Sequence, residues 1–302
     1  MLLTLSSLCF KTTLLNMLSL RATYGHNIGT ISLDGVKFDG EIFKKKCYLV
    51  GQFDKNWPHL TVYETCTYAE RLFGVTQKNS SNELVSNVVS NLIDEVGLTS
   101  VSHTRNSKLS GGQQRRLSLA IAMTKNPELL FLDEVTSGLD SASANSVCQA
   151  LRRLVDKNNM LIICTIHQPS TKIFLEYFDK VILLSKGKVA YFGGTKEAHD
   201  YFSDIGYPVP AMTNPSEHFL ELLNPDFEGN STVDQIIGSW NGMTYETGFT
   251  NVDKQVKQHS KEQLSPLSDL KLWKLTRFEE VQILLKRHFK MTYRDVSIYQ
   301  KI

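Results

Sequence analysis

The sequence lacks the features that mark several specialised classes of protein. Among its 302 residues there is no apolar run of about eighteen, the length that a membrane-spanning helix needs. The five cysteines form no CxxC pair, which favours reduced thiols in the cytosol over a disulfide framework or a zinc site. A net charge of +2 gives no reason to expect nucleic acid as a partner.

The sequence does contain an alternation of helical patterns with short strands. The segments ELLFLD, MLIICTI and KVILLS are apolar throughout, which is typical of a parallel sheet covered on both faces. Before them, GTISLDGVKFDG predicts a strand, a turn and a strand, and Thr61 with Glu64 predicts the capped start of a helix. We therefore predict an α/β fold with a helical insertion, in which one helical face carries Leu84, Val88, Leu92 and Val96.

The C-terminal part of the chain has a different composition. KVAYFGG predicts a hairpin arm, residues 196–205 a short helix, and the polar residues 226–266 a loose linker. The segment TRFEEVQILLKRHFKMTYRD predicts a helix with one apolar and one basic side, formed by Phe278, Val281, Leu285 and Phe289 and by Lys286, Arg287, Lys290 and Arg294. Both a packed helix and an amphipathic helix on an anionic membrane surface explain this pattern.

Two carboxylates follow the apolar strand ELLFLD. Asp133 and Glu134 lie where α/β proteins bind ligands, at the carboxyl end of a strand. Phosphoryl transfer needs one carboxylate to hold Mg²⁺ and one group to orient or deprotonate the attacking water. Asp133 suits the first role and Glu134 the second. On its own, such a pair is more often only the acidic start of a helix.

A serine and two glycines open the next candidate site. In LSGGQQRR, Ser110, Gly111 and Gly112 precede the helical pattern LSLAIAM. Two glycines allow a phosphate close to the backbone, where the N–H groups and the dipole at a helix start attract it. A flexible loop before a helix is the simpler explanation of a lone SGG. The acidic strand and SGLD that follow at short range make the combination more specific than any of its parts.

The order LSGGQQRR, LLFLDE, SGLD and TIHQP resembles the signature motif, Walker B strand, D-loop and switch histidine of ABC ATPases. We call Leu109–Arg116 the signature segment. The resemblance implies a P-loop NTPase-like core with a mostly parallel sheet and a helical subdomain at about residues 60–125. It also implies that the protein binds ATP and Mg²⁺ and works with a second cassette, as a homodimer or a heterodimer. Val135 departs from the family, which usually has proline there.

The resemblance assigns roles to individual residues. Asp133 would serve Mg²⁺, Glu134 the attacking water, and His167 the γ-phosphate of ATP bound to the same subunit. ATP bound to the partner subunit would be contacted by Ser110, Gly111, Gly112 and Gln113. Asp140 would lie at the dimer seam.

Four further stretches of the sequence make the resemblance more specific. YLVGQFDKNWPHLTVYET resembles the Q-loop of the same family, with Gln52 sensing Mg²⁺ and the water. IHQPS, KVILLSKGKVAYFGG and NPSEHFLELLN resemble the white/G-type half-transporters of eukaryotes. This implies a nucleotide-binding domain over residues 1–225, a polar linker over 226–270, and a connecting helix over 271–302 that leads to a membrane domain missing from this chain. It favours the membrane-surface role of that helix, and a membrane-associated protein whose cassette lies on the cytoplasmic side.

The residues before Lys11 depart from the family. A P-loop has the pattern GxxxxGK[ST], and its glycines let consecutive N–H groups wrap the phosphates. Lys11, Thr12 and Thr13 match the end of the pattern and are expected to bind nucleotide, Thr12 also the metal. Leu5 and Phe10 occupy the glycine positions. Bulky residues there predict a strained backbone and a blocked phosphate path, so we expect the chain to bind ATP poorly.

Three functional hypotheses follow. The first is the ATP-hydrolysing subunit of a G-type half-transporter that powers export of a lipophilic substrate. The second is a truncated or degenerate cassette that binds ATP weakly and acts as a dimerisation partner. Intact downstream motifs and the abrupt loss of match before Lys11 favour truncation. The third is a soluble, non-transport ABC ATPase, which a single cassette with this C-terminal segment disfavours.

Replacing the segment LSSLCF, residues 5–10, with a glycine-rich loop is expected to tighten ATP binding. Freely accessible backbone N–H groups would then surround the phosphates. The measurement is a nucleotide titration of the two purified proteins. Equally tight binding by both would contradict the prediction.

Overall fold

The computed structural model describes residues 2–5, 8–22, 25–26, 28–33, 35–52, 56–74, 81–247 and 275–295. The chain divides into two units, and each contains several separate stretches of the sequence. Unit 1 comprises Met1–Lys44, Phe131–Ser137 and Ile162–Leu270. Unit 2 comprises Lys45–Leu130, Gly138–Leu161 and Lys271–Ile302.

A mostly parallel sheet forms the centre of unit 1. In spatial order its strands are β5 (Leu129–Leu132), β6 (Leu161–Thr165), β1 (Leu2–Leu5), β7 (Lys180–Ser185) and β8 (Lys188–Gly194). Strand β1 pairs in parallel with both β6 and β7, whereas β8 returns antiparallel to β7 as a hairpin arm. Strand β5 is buried throughout, and β6 and β7 nearly so. The α/β fold with a largely parallel sheet, predicted from these apolar strands, is confirmed.

Helices and one small hairpin complete unit 1. The hairpin predicted from GTISLDGVKFDG is formed by the antiparallel strands β2 (Ser32–Leu33) and β3 (Val36–Lys37). The helices are α1 (Leu8–Leu18), α2 (Gly40–Lys46), α7 (Thr171–Glu176), α8 (Glu197–Asp204), α9 (Pro215–Leu222) and α10 (Pro225–Thr247). Helix α8 lies where residues 196–205 predicted a short helix.

Helix α10 corrects the prediction of a loose linker over residues 226–266. Val233, Ile236 and Ile237 on this helix are buried. The Trp240 ring lies 5.3 Å from the ring of Tyr191 and 5.6 Å from that of Tyr201, both in edge-on arrangements. These distant contacts stabilise a helix that its polar local composition does not predict. Residues 248–266 of that stretch lie outside the described part of the chain.

Unit 2 is largely helical. It contains α3 (Val62–Phe73), α4 (Asn82–Glu95), α5 (Gly111–Met123), α6 (Ser141–Asn158), α11 (Arg277–Arg294), and two short 3₁₀ helices at Thr99–Val101 and Asn106–Lys108. Strand β4 (Cys47–Val50) lies beside β5, whose first two residues belong to this unit. Thr61 and Glu64 form the predicted capping box at the start of α3, each accepting a hydrogen bond from the backbone N–H of the other.

The buried face of α4 lies one residue along from the predicted one. Val85, Val89 and Ile93 are buried, whereas Leu84 is 47% exposed. The series that starts at Leu84 and the series that starts at Val85 both place an apolar residue at every fourth position. The period alone therefore does not tell which of the two series is buried. Burial against neighbouring helices, which the local pattern does not contain, decides between them.

Helix α11 is attached to the start of α3 by its basic side chains. The guanidinium of Arg294 donates to both carboxylate oxygens of Glu64, at 2.6 and 3.0 Å, and Lys290 Nζ lies 2.6 Å from Glu64 Oε1. The guanidinium of Arg287 lies 4.2 Å from the centre of the Trp57 ring. Three of the four basic residues of the predicted face therefore contact the protein itself, and the exposed side carries Phe278, Val281, Leu285 and Phe289.

The contacts of Glu64 with Arg294 and Lys290 predict that the protein becomes less stable in acid. Burial acts to raise the pKa of Glu64, but hydrogen bonds from Arg294, Lys290 and the Thr61 N–H outweigh it and lower the pKa to about 2. Because the pKa of Glu64 is lower in the folded than in the unfolded protein, its ionised carboxylate stabilises the fold above about pH 5. This stabilisation is lost as the pH falls toward 2. The free energy of unfolding should drop by up to about 3 kcal/mol in that window from this group. Urea unfolding at several pH values measures it. In Glu64→Gln this part of the pH dependence should disappear; an unchanged pH profile would contradict the prediction.

Candidate functional site

The carboxyl ends of β5 and β6 form the centre of the site in unit 1. Asp133 follows β5, and its Oδ1 accepts hydrogen bonds from Thr165 Oγ1 at 2.7 Å and from Thr12 Oγ1 at 3.3 Å. Thr165 is the last residue of β6 and is fully buried. Sequence reasoning missed Thr165; the available signal was a hydroxyl ending the apolar run of β6, two residues before His167.

The backbone at Glu134 has an unusual conformation. Its φ is +46°, in the left-handed region that residues with a side chain rarely adopt. The N–H of Glu134 donates to Thr165 Oγ1 at 2.7 Å, and the N–H of Val135 donates to the Thr165 carbonyl at 3.3 Å. A proline at position 135 could not make the second bond, because it has no N–H. The valine that departs from the family therefore adds a hydrogen bond to this turn.

Lys11 on α1 is the cation of the site. Its side chain is fully buried, and Nζ finds no hydrogen-bond partner among the described residues. Burial lowers the pKa of Lys11, whereas the charges of Glu134 and Asp133 act to raise it. A buried ammonium with unfilled donors, close to two carboxylates, is an arrangement that an anionic ligand carrying its own metal ion would complete. Thr13, two residues further along α1, is half-buried.

His167 follows β6 and faces the same groups. Burial and the charge of Lys11 lower its pKa, and the charge of Glu134 acts to raise it. The net effect favours the neutral imidazole, which can donate one hydrogen bond and accept another. Unit 1 thus brings together five of the predicted site residues: Lys11, Thr12, Asp133, Glu134 and His167.

The start of α1 differs from the loop expected there. Strand β1 ends at Leu5 and α1 begins at Leu8, so Phe10 is helical and Lys11 is the fourth residue of the helix. The left-handed strain expected at Leu5 and Phe10 does not arise, because a strand residue and a helix residue avoid it. The helix begins three residues, about 4.5 Å, ahead of Lys11, where the family pattern would have a glycine-rich loop.

The fit to a magnesium nucleotide is therefore uneven. The side chains suit it: Thr12 and Asp133 offer adjacent oxygens to a metal, and Lys11 offers a positive charge to phosphate. In the described part of the chain no cluster of three His, Cys, Asp or Glu side chains could cage a metal. Mg²⁺ needs no such cage, since it commonly binds through one or two protein oxygens together with phosphates and water. Residues 8–10, directly before Lys11, are helical, unlike a glycine-rich wrapping loop.

The signature segment lies in unit 2, at the start of α5. Ser110 Oγ accepts from the N–H of Gln113 at 3.3 Å, and Gln113 Oε1 accepts from the N–H of Ser110 at 2.9 Å. This capping box fixes the entry of the helix and leaves Ser110 and Gly111 exposed. A Cβ added to Gly112 would lie 2.9 Å from Ser143 Cβ on α6, so close packing requires glycine there.

Asp140 and Gln52 are the other predicted site residues in unit 2. Asp140 caps α6, accepting from the N–H of Ser143 at 3.3 Å, and hydrogen bonds from Ser143 lower the pKa of its exposed carboxyl. Gln52 follows β4 and is exposed. Arg115 Nη1 donates to the carbonyls of Gly51 at 2.7 Å and Gln52 at 3.2 Å, a pair of contacts that the sequence did not predict.

Comparisons with known proteins give a consistent result. A family profile described as "ABC transporter" matches residues 9–137, and one described as "ABC-2 type transporter" matches residues 167–263. In the described ranges, no helix is both long and apolar enough to cross a bilayer.

Individual relatives carry G family names. ABC transporter G family member 4 of Arabidopsis thaliana is 34% identical over 288 residues, covering 94% of this chain and 45% of that protein. ABC transporter G family member 11 of Arabidopsis thaliana is 41% identical over 224 residues, covering 72% and 31%. ABC transporter G family member 1 of Dictyostelium discoideum is 37% identical over 231 residues, covering 74% and 28%. The chain spans less than half the length of each of these relatives.

Thr165→Val tests the hydroxyl that joins Asp133 to Glu134. The substitution keeps the shape of the side chain but removes the hydroxyl that accepts from the Glu134 N–H and donates to Asp133, so it should lower the free energy of unfolding by about 1–3 kcal/mol. It should also weaken Mg²⁺-dependent nucleotide binding. Thr195→Val is the matched control, since Thr195 is equally buried and bonds the Phe178 carbonyl away from the site. If Thr195→Val weakens Mg²⁺-dependent nucleotide binding as much as Thr165→Val does, the role assigned to the Thr165 hydroxyl is refuted.

Proposed function

Because the chain belongs to the ABC transporter family and its relatives are of the G type, we propose that it is the ATP-binding and ATP-hydrolysing subunit of a half-transporter. The observation that carries the proposal is the constellation at the ends of β5 and β6. There Thr165 holds Asp133 and Glu134 in place, and Lys11 and His167 lie within range of the Glu134 charge.

Each side chain of the constellation has a chemical role in hydrolysis. Thr12 Oγ1 and Asp133 would hold Mg²⁺, which when bound neutralises charge on the phosphate oxygens. The ammonium of Lys11 would face the β- and γ-phosphates. The carboxylate of Glu134 would orient the attacking water and accept its proton. Neutral His167 would donate a hydrogen bond to the γ-phosphate, and Gln52 would contact the metal and the water.

The signature segment supports a role in a second site. Ser110 and Gly111 are exposed at the N-terminus of α5, where N–H groups and the helix dipole favour a phosphate. We assign Ser110, Gly111, Gly112 and Gln113 to ATP bound by a partner cassette, and Asp140 to the seam. The partner is a second copy of this chain or a related cassette.

We propose that ATP hydrolysis drives transport. Closure of two cassettes around ATP and their reopening would drive export of a lipophilic substrate through the membrane helices of the assembled transporter. Helix α11 would transmit the motion. Its exposed residues Phe278, Val281, Leu285 and Phe289 would lie on the cytoplasmic surface of the membrane, with the cassette on the same side.

One observation favours a second candidate function. Because Leu5 and Phe10 stand at the glycine positions of the P-loop pattern and α1 begins at Leu8, the chain's own site would bind ATP weakly. The chain would then act chiefly as a dimerisation partner that offers its signature segment to an intact cassette.

Pairing this chain with a full-length G-type half-transporter tests both candidates. ATP hydrolysis is measured for Glu134→Gln, Ser110→Arg and the surface control Glu128→Gln, whose carboxylate pairs with Lys46. If both sites work, each of the first two variants should lower the rate at its site about tenfold or more, and the control should not. Loss with Ser110→Arg alone would favour the dimerisation partner. Full activity in all three variants would sink the proposed function.

A further inference from the structure

Arg115 connects α5, the helix that begins within the signature segment, to the residues around Gln52. It lies on α5, five residues after Ser110, and is half-buried. Its Nη1 donates to the carbonyl of Gly51 at 2.7 Å and to that of Gln52 at 3.2 Å. All of these residues belong to unit 2. One cation thus binds two consecutive carbonyls at the point where β4 ends.

A second contact from the same face of α5 lies on the far side of Gln52. Ser118, one turn after Arg115, is buried, and its Oγ accepts from Asn56 Nδ2 at 3.4 Å. Further along, the Trp57 carbonyl accepts from Asn106 Nδ2 at 2.8 Å, three residues before the signature segment. Helix α5 therefore holds the backbone of Gly51 and Gln52 through Arg115 and the side chain of Asn56 through Ser118, while Asn106, just before the signature segment, holds the backbone at Trp57.

We propose that Arg115 is a positioning residue, which holds the backbone of Gln52 in a fixed place relative to α5. The proposal rests on the proposed function. Because the backbone of Gln52 is bonded to α5, a displacement of that helix would change the position of Gln52. A guanidinium suits this task, since its planar fork presents several donors in fixed directions, whereas lysine presents one compact charge.

The neighbouring Arg116 provides a matched control. Its Nη1 also donates to two consecutive carbonyls, those of Val96 at 3.2 Å and Gly97 at 2.7 Å, at the end of α4. Arg115→Gln and Arg116→Gln therefore remove the same chemistry from adjacent positions of one helix, but release different segments.

Hydrogen exchange of the purified chain tests the connection without relying on hydrolysis. In Arg115→Gln, amides between residues 48 and 57 should exchange about fivefold faster or more, while those between 94 and 99 stay unchanged. Arg116→Gln should show the reverse, and Arg115→Lys an intermediate effect at residues 48–57. Unchanged exchange at 48–57 in Arg115→Gln would overturn the proposal. An equal rise across all of unit 2 would also overturn it, since that marks general destabilisation.

A kinetic measurement tests the functional part. In the paired transporter, Arg115→Gln should lower kcat about tenfold and raise the Mg²⁺ concentration for half-maximal rate, with the KM for ATP within about twofold. Arg115→Lys should recover part of the rate. An unaltered Mg²⁺ requirement would overturn the role of Arg115 in catalysis. If the unsubstituted pair hydrolyses no ATP, the proposed function fails, while the exchange experiment still decides whether Arg115 holds Gln52.

Discussion

The hydroxyl of Thr165 is the single group on which the arrangement at the sheet ends depends. It donates to Asp133 and accepts from the N–H of Glu134, so it fixes the side chain of one residue and the backbone of the next. A left-handed backbone at Glu134 is unfavourable by about 1–3 kcal/mol and persists when surrounding contacts over-determine it. Here those contacts are this hydroxyl and the buried Val135. These contacts fix the backbone conformation of Glu134, from which its carboxylate extends.

Helix α5 has the corresponding role in unit 2. Its N-terminus is fixed by the capping box of Ser110, and Gly112 brings it close to Ser143 on α6. One turn further, Arg115 and Arg116 bind carbonyls at the ends of β4 and α4. A single helix thus fixes the exposed turn at Ser110 and Gly111 relative to β4, α4 and α6. A displacement of α5 would carry all of these contacts with it, because the helix itself is rigid over this length.

The sequence predicted those features whose causes are local. The apolar strands and the capping box of Thr61 and Glu64 depend on patterns within a few residues, and the structure has both. Helix α10 was missed because a distant aromatic contact, between Trp240 and Tyr191, supplies stability that local composition does not show. Thr165 was missed for a related reason: a lone hydroxyl in an apolar strand gains its meaning only from β5 alongside. The roles of the site residues still rest on resemblance and chemistry.

The residues before Lys11 affect how well the charges at this site can bind a nucleotide. Asp133 and Glu134 carry two formal negative charges against one positive charge on Lys11, so the cluster by itself repels a polyphosphate. In a glycine-rich loop several backbone N–H groups offset that repulsion, but here α1 has already begun at Leu8. The remaining compensation is a divalent cation at Thr12 and Asp133. Nucleotide binding at this site should therefore depend steeply on Mg²⁺, since the metal would offset the repulsion between the two carboxylates and the phosphates.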